Sequence, residues 1–384
     1  MGKTLPEPSG SISGLRVFFF FLPAFLAGCV QPFSLDISTG NSDLVVEGFI
    51  NAGSGPTQFH LSRVNAINDT SQPVYELHAQ VSVLDSLGNS FPLRETGLGL
   101  YEASSLNLDP LGSYRVYIRT ANGASYQSDL VQVQYSPPID RVNWNIVDDG
   151  VQIYVSTHDS LNRSPYYKWQ YNETWEYQAY FTSFYSYLNG QFVARPPDQM
   201  VKTCWISDSS ESLLLGARPS VTSVNIYQFP LTYIPPHAEQ LNILYSIDVK
   251  QYALSPSAYN YWKLLQTTTQ LNGSVFDPQP VTALGNIHCI THPGEPVIGY
   301  VAAGQLRESR IFIHYLDLPR GWARYADCGA PLIVPESQYA ALFGTYTYVP
   351  LYPDDPNRYF GTVPECADCT AHHHGTNVKP AFWP

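Results

Sequence analysis

The chain is short of charge, and shorter still of positive charge. Only 14% of its 384 residues are charged, and 32 acidic side chains against 20 basic ones give a formal net charge of -12. That sign is wrong for neutralising phosphates, so nucleic acid is excluded as an expected partner. The chain is not short of apolar residues: at 44% hydrophobic it can bury a core, which excludes a disordered polar tail. Long apolar runs are missing, however. The stretch Val17 to Ala27 is eleven residues long, whereas a spanning helix needs about 20. Methionine is nearly absent, with two residues, while 28 Tyr, 18 Phe, 7 Trp and 31 Pro are present. Aromatic rings suit a pleated surface and proline punctuates it, so a mainly β protein is predicted. At about 100 to 200 residues per domain, the length points to two or three domains. Also absent are a phosphate-cradling Gly-rich loop with Lys, a His-Glu-x-x-His zinc helix and a Gly-x-Ser-x-Gly elbow. These absences turn the expectation away from an enzyme and away from any cofactor.

What is present begins with an address. Lys3 and Arg16 precede the apolar run, which ends in Leu26-Ala27-Gly28-Cys29. A run of this length suits a signal-peptide core, for which about 7 to 15 residues suffice. The tetrad resembles the bacterial lipoprotein signal, in which the Cys thiol is lipidated and the leader cut just ahead of it. Residues 1–28 are therefore expected to be a lipoprotein signal peptide, Cys29 the lipidation site and residues 29–35 a tether. Val30 stands where an inner-membrane retention signal would place Asp. By resemblance to lipoprotein sorting, the expected location is the outer membrane, held by the lipid anchor.

Residues 36–135 read as an immunoglobulin-like β-sandwich. Leu44 to Ile50 and Thr57 to Val64 are strand-like, Ala79, Val81 and Val83 alternate with polar residues, and Asn122-Gly123 predicts a tight turn after Tyr114 to Arg119. Ser136-Pro137-Pro138 marks a boundary. Residues 136–384 are expected to be a larger β-rich domain with one helix at about 256–270. There Ser255 is the predicted N-cap and Pro256 the first helical residue. Ala258, Tyr261, Trp262 and Leu265 form the inward stripe, and Lys263 and Gln266 face water. Asn272-Gly273 is the predicted stop. Asp148-Asp149-Gly150 has the chemistry of a hairpin turn rather than of a metal or acid/base site.

With Cys29 lipidated, Cys204, Cys289, Cys328, Cys366 and Cys369 remain as disulfide candidates, an odd number in an oxidising compartment. Sequence does not choose among the pairings; the expectation is Cys204 with Cys289, and Cys328 with one member of Cys366-Ala367-Asp368-Cys369. Metal is not expected, although Cys366, Cys369, His372 and His374 have ligand chemistry. Segment 171–192 is crowded with aromatic residues, so it either packs a core or makes a recognition surface. Trp175, Tyr177, Tyr180 and Tyr185, with Phe382 and Trp383 at the chain end, are the recognition candidates. Glu173, Glu176, Asp354 and Asp355 are the only acidic candidates for an unrecognised hydrolase site.

Several stretches taken together resemble a family. They are Leu26 to Cys29, Leu44 to Ile50, Tyr259 to Leu265, Gly285 to Cys289, Pro296 to Tyr300, Cys366-Ala367-Asp368-Cys369 and Gly375 to Trp383. They are similar to the lipoproteins of Bacteroidetes-type bacteria grouped as domain of unknown function 4249; the run of three His departs from that pattern. The resemblance implies a non-enzymatic accessory or substrate-binding partner of a TonB-dependent outer-membrane transporter, with no catalytic residue carried over. Two other classes remain open: a free-standing surface module that binds glycan or peptide, and the acidic hydrolase.

Overall fold

The computed structural model describes residues 43–64, 74–210, 212–218, 225–270, 285–322, 328–355, 358–373 and 375–384. The expected signal peptide, Cys29, the tether, Asn272-Gly273 and His374 lie outside these residues.

Strands β1 (Leu44–Asn51), β2 (Thr57–Arg63), β3 (Val74–Tyr75), β4 (Gln80–Asp85), β5 (Ser90–Gly97), β6 (Leu100–Ala103), β7 (Ser113–Arg119), β8 (Ser125–Ser128) and β9 (Val131–Gln132) build the first layer pair. The start of β5 pairs with β4 and its end with β6, across a register shift between Glu95 and Gly97. One strand thus carries the sheet over onto itself. The inward residues of both halves, Phe59, Leu61, Val81, Val83, Val116 and Ile118 among them, meet in one core. Alternation produces this directly, because every second side chain of a strand points to the same face. The result is an immunoglobulin-like sandwich in a mainly β protein.

The second layer pair uses β10 (Ile139–Val147), β11 (Gly150–His158), β12 (Tyr166–Gln178), β15 (Thr203–Ser209), β16 (Leu214–Ala217), β17 (Asn225–Ile234) and β18 (Leu244–Leu254), while β13 (Tyr185–Leu188) and β14 (Gln191–Ala194) form a hairpin sheet of their own. Asp148 and Asp149 both take left-handed φ, 48° and 62°, which is the two-residue turn that a right-twisted hairpin favours. The sheet β10-β11-β17 faces the sheet β15-β12-β18, and their common core holds Val151, Ile153, Val155, Trp169, Ile247 and Val249.

Helix α1 (Pro256–Gln270) follows β18 at once. Ser255 Oγ accepts the Ala258 N–H at 3.2 Å, the predicted N-cap. Ala258 and Tyr261 are buried; Ala258 joins the small cluster between the two sandwiches, and Trp262 packs against it. Gln266 departs from expectation: its amide donates to the Leu213 carbonyl at 2.6 Å, so it ties the helix to the second sandwich instead of facing water.

The chain then goes back. β19 (Ile287–Cys289) adds to β8, and β20 (Val297–Ile298) and β21 (Ala302–Gly304) run parallel beside β1. The first sandwich is therefore not the contiguous 36–135 segment that proline punctuation suggested. Its two outer edges are filled by residues from the other side of the helix, because an open edge leaves a row of backbone groups unpaired. β22 (Arg307–His314) returns to the second sandwich beside β18. Strands β23 (Leu332–Val334), β24 (Val349–Asp355) and β25 (Arg358–Thr362), with the one-turn helices α2 (Tyr339–Leu342) and α3 (Pro364–Ala367), close the chain. Among the described residues the second unit therefore has one long α-helix, as expected, and two single α-turns besides.

Cys204 bonds Cys369, and Cys328 bonds Cys366. The expected Cys204–Cys289 bridge is not formed. Cys289 belongs to β19 in the first sandwich, is buried and is free, whereas Cys204 sits in β15 of the second.

Candidate functional site

The seam between the sandwiches is where side chains of unlike chemistry are forced together. Odd-numbered residues of β12, such as Tyr167 and Trp169, enter the second core, so Lys168 and Gln170 point the other way, towards β1 and α1. Lys168 lies directly opposite Tyr252 on β18, and Gln170 opposite Lys250. Against this face come Glu47 and Phe49 from β1 and Trp262 from α1, enclosing a cleft of about 340 Å³. Gly48, between Glu47 and Phe49, is what lets β1 pair closely with β2: a Cβ on it would meet the ring of its cross-strand partner Phe59 at 2.2 Å.

Lys168 dominates the electrostatics of the cleft. Its ammonium lies 4.9 Å from the Tyr252 ring centroid and 4.4 Å from that of Trp262, within cation–π range of both. Burial pushes its pKa down to about 8, and the negative charge of Glu47 works against that shift. Among the described residues Lys168 makes no ion pair, whereas neighbouring Lys250 is answered by Glu308 at 3.7 Å. The cleft thus combines aromatic walls from Phe49, Tyr252 and Trp262, the paired Lys250 and Glu308, and a Lys168 that feels Glu47 at a distance but makes no ion pair among the described residues. That combination suits a small ligand with an anionic group.

The recognition candidates fall into two groups. Trp175 is buried in the second core with its indole N–H on Glu239 Oε1 at 3.2 Å, and Trp383 is buried against Trp205 and Phe312. Neither is available as a surface anchor, since strand alternation turns the first inward and the chain end folds back on its own sheet. Tyr177 is half-buried, stacked on His372 at 4.2 Å. Tyr185 packs edge-on to Tyr359 in an aromatic cluster with Phe192. Tyr180 and Phe382 do reach the surface, Phe382 over the Arg310 guanidinium at 3.7 Å.

The acidic candidates do not converge. Glu173 and Glu176 fall on opposite faces of β12, and Asp354 and Asp355 belong to β24 in another sheet. Glu173 has its pKa pushed up by burial, against the opposing effect of the Tyr245 hydroxyl, which donates to it at 2.6 Å. Asp354 is held by Arg358 at 2.7 Å. Cys366 and Cys369 are spent in disulfides and offer no thiolate to a metal.

Lys168 was missed in the sequence. The signal was there, a lone cation inside Tyr166-Tyr167-Lys168-Trp169, but reading it requires knowing that Trp262 lies across from it.

Among known proteins, no curated sequence matches this chain. A solved structure, the chicken interferon gamma receptor alpha chain, aligns at 11% identity over 55% of this chain and 89% of its own. The TM-score of that alignment is 0.15. The profile of the family described as Domain of unknown function (DUF4249) matches residues 30–310. That match spans most of the chain, and by it the protein belongs to the family of domain of unknown function 4249.

Proposed function

We propose that this protein is a non-enzymatic, lipid-anchored binding protein of the outer membrane. It takes a small carboxylate-bearing ligand into the Lys168 cleft and serves a TonB-dependent transporter as an accessory subunit. The observation that carries the binding half is the Lys168 ammonium held over Tyr252 and Trp262 with no ion pair among the described residues. The anchor and transporter halves rest on Leu26-Ala27-Gly28-Cys29 and on the family resemblance.

Calorimetric titration of the purified protein with a panel of amino acids, short peptides and uronic acids tests the cleft. At least one carboxylate should bind, and Lys168→Met should weaken it tenfold or more; equal binding by that variant would overturn the assignment. The pH dependence has a definite sign. Lys168 loses its proton as pH rises through about 8, so carboxylate affinity should fall across that interval, and a bound anion should draw a proton back onto the lysine. The partner is tested by extracting C-terminally tagged protein from native outer membranes in mild detergent. A barrel in stoichiometric amount supports the accessory role.

A lone lipoprotein would instead favour a free-standing surface module that binds glycan or peptide. Tyr180 and Phe184, each 50% exposed, are the residues that speak for that second reading.

A further inference from the structure

The geometry points to a binding site for one divalent transition-metal ion of the zinc, nickel and copper(II) class, formed by Glu239, His372 and His373. It does not depend on the cleft. Lys168 and Tyr177 are on opposite faces of β12 and about 30 Å apart along it, at about 3.3 Å per residue.

The three residues come from distant parts of the chain. Glu239 opens a short turn before β18, and the two histidines follow the Cys204–Cys369 bridge in the terminal segment. His372 Nε2 lies 2.7 Å from Glu239 Oε2, and one donor atom from each of the three residues lies within 4.8 Å of the others. Zinc binds imidazole nitrogen and carboxylate oxygen at about 2.0 to 2.2 Å, so small side-chain rotations bring all three onto one ion. Two imidazoles and one carboxylate, with no thiolate, favour zinc, nickel or copper(II) over magnesium or calcium.

The surroundings are those of a supported site. The Trp175 indole fixes the Glu239 carboxylate from behind through Oε1 at 3.2 Å, the kind of outer contact that orients a metal ligand. Tyr177 stacks flat on the His372 ring, with 12° between planes. The His372 backbone is held on both sides, its N–H by the Cys369 carbonyl and its carbonyl by the Gly375 N–H. His373 is exposed, leaving the outer side of the ion open to water or to a further ligand. With thiols excluded, the pairing that sequence offered, Cys366 and Cys369 with the histidines, gives way to a partner 133 residues earlier, Glu239.

The test is competition of zinc against a chromogenic chelator, using full-length protein in detergent without a histidine tag. One equivalent of zinc should bind, with His372→Ala and Glu239→Gln each weakening it at least tenfold. X-ray absorption should count two imidazoles and a carboxylate oxygen around the ion. Glu239→Gln keeps the shape and the Trp175 contact, so a circular-dichroism spectrum like that of the parent separates lost ligand from lost fold. Should Glu239→Gln bind zinc as tightly as the parent, the metal would be held without Glu239, by the histidine run or by the Cys289, His292 and Glu295 group, and the site would be refuted. Absence of zinc binding by the parent would refute it as well.

Discussion

A lysine in a strand is ordinarily a solvated residue, and Lys168 differs only through what is laid against it. Local sequence shows its alternation but not the ring of Trp262, which arrives from α1. The same limit explains Glu239, whose partner is found only through the fold. Trp383 fails in the opposite direction: a terminal aromatic reads as a free anchor, yet it is buried. Trp383→Ala should therefore cost about 3 to 5 kcal/mol of stability in urea denaturation, as a large core truncation does. A surface anchor would cost nothing measurable. Gly48 sets a tighter constraint. With the Phe59 ring 2.2 Å from where a Cβ would stand, Gly48→Ala should destabilise by about 1 to 3 kcal/mol, because the overpacked strand must shift.

Elements whose determinants lie within a few residues were legible. The Ser255 cap, the Asp148-Asp149 turn and the alternation of Val81 and Val83 all appear where the sequence places them. Ser255→Ala should accordingly lower stability by about 1 kcal/mol, the usual cost of a lost cap, read from thermal melts. Disulfide pairing was only half legible, since it depends on which strands become neighbours. Cys328 does pair within the Cys-x-x-Cys, but Cys204 reaches Cys369 across 165 residues. Replacing Cys204 and Cys369 by Ser should cost about 2 to 5 kcal/mol. It should also raise amide exchange in the segment around His372, which that bridge holds; unchanged exchange there would show that backbone hydrogen bonds alone suffice.

At the scale of the whole molecule, the two sandwiches are not beads on a string. Helix α1 sits between them, and the chain crosses back to finish the first after building most of the second. A fragment ending at residue 135 lacks β19, β20 and β21. It should show no cooperative melt, whereas an independent domain would melt normally. Proline punctuation at 137 and 138 marked where the chain leaves the first sandwich and could not mark where it returns.

The return has a consequence in time. Leu44 is beside Val297, and Tyr126 beside Cys289, so the outer edges of the earliest strands have no partner until far more chain has been made. A polypeptide delivered N-terminus first presents those edges bare, and bare edges recruit the strands of other molecules. For this protein the order of synthesis and the order of closure run in opposite directions. The first sandwich to emerge is the one that must wait, and yield and solubility should be more sensitive to damage in residues 285–304 than the small size of that segment suggests.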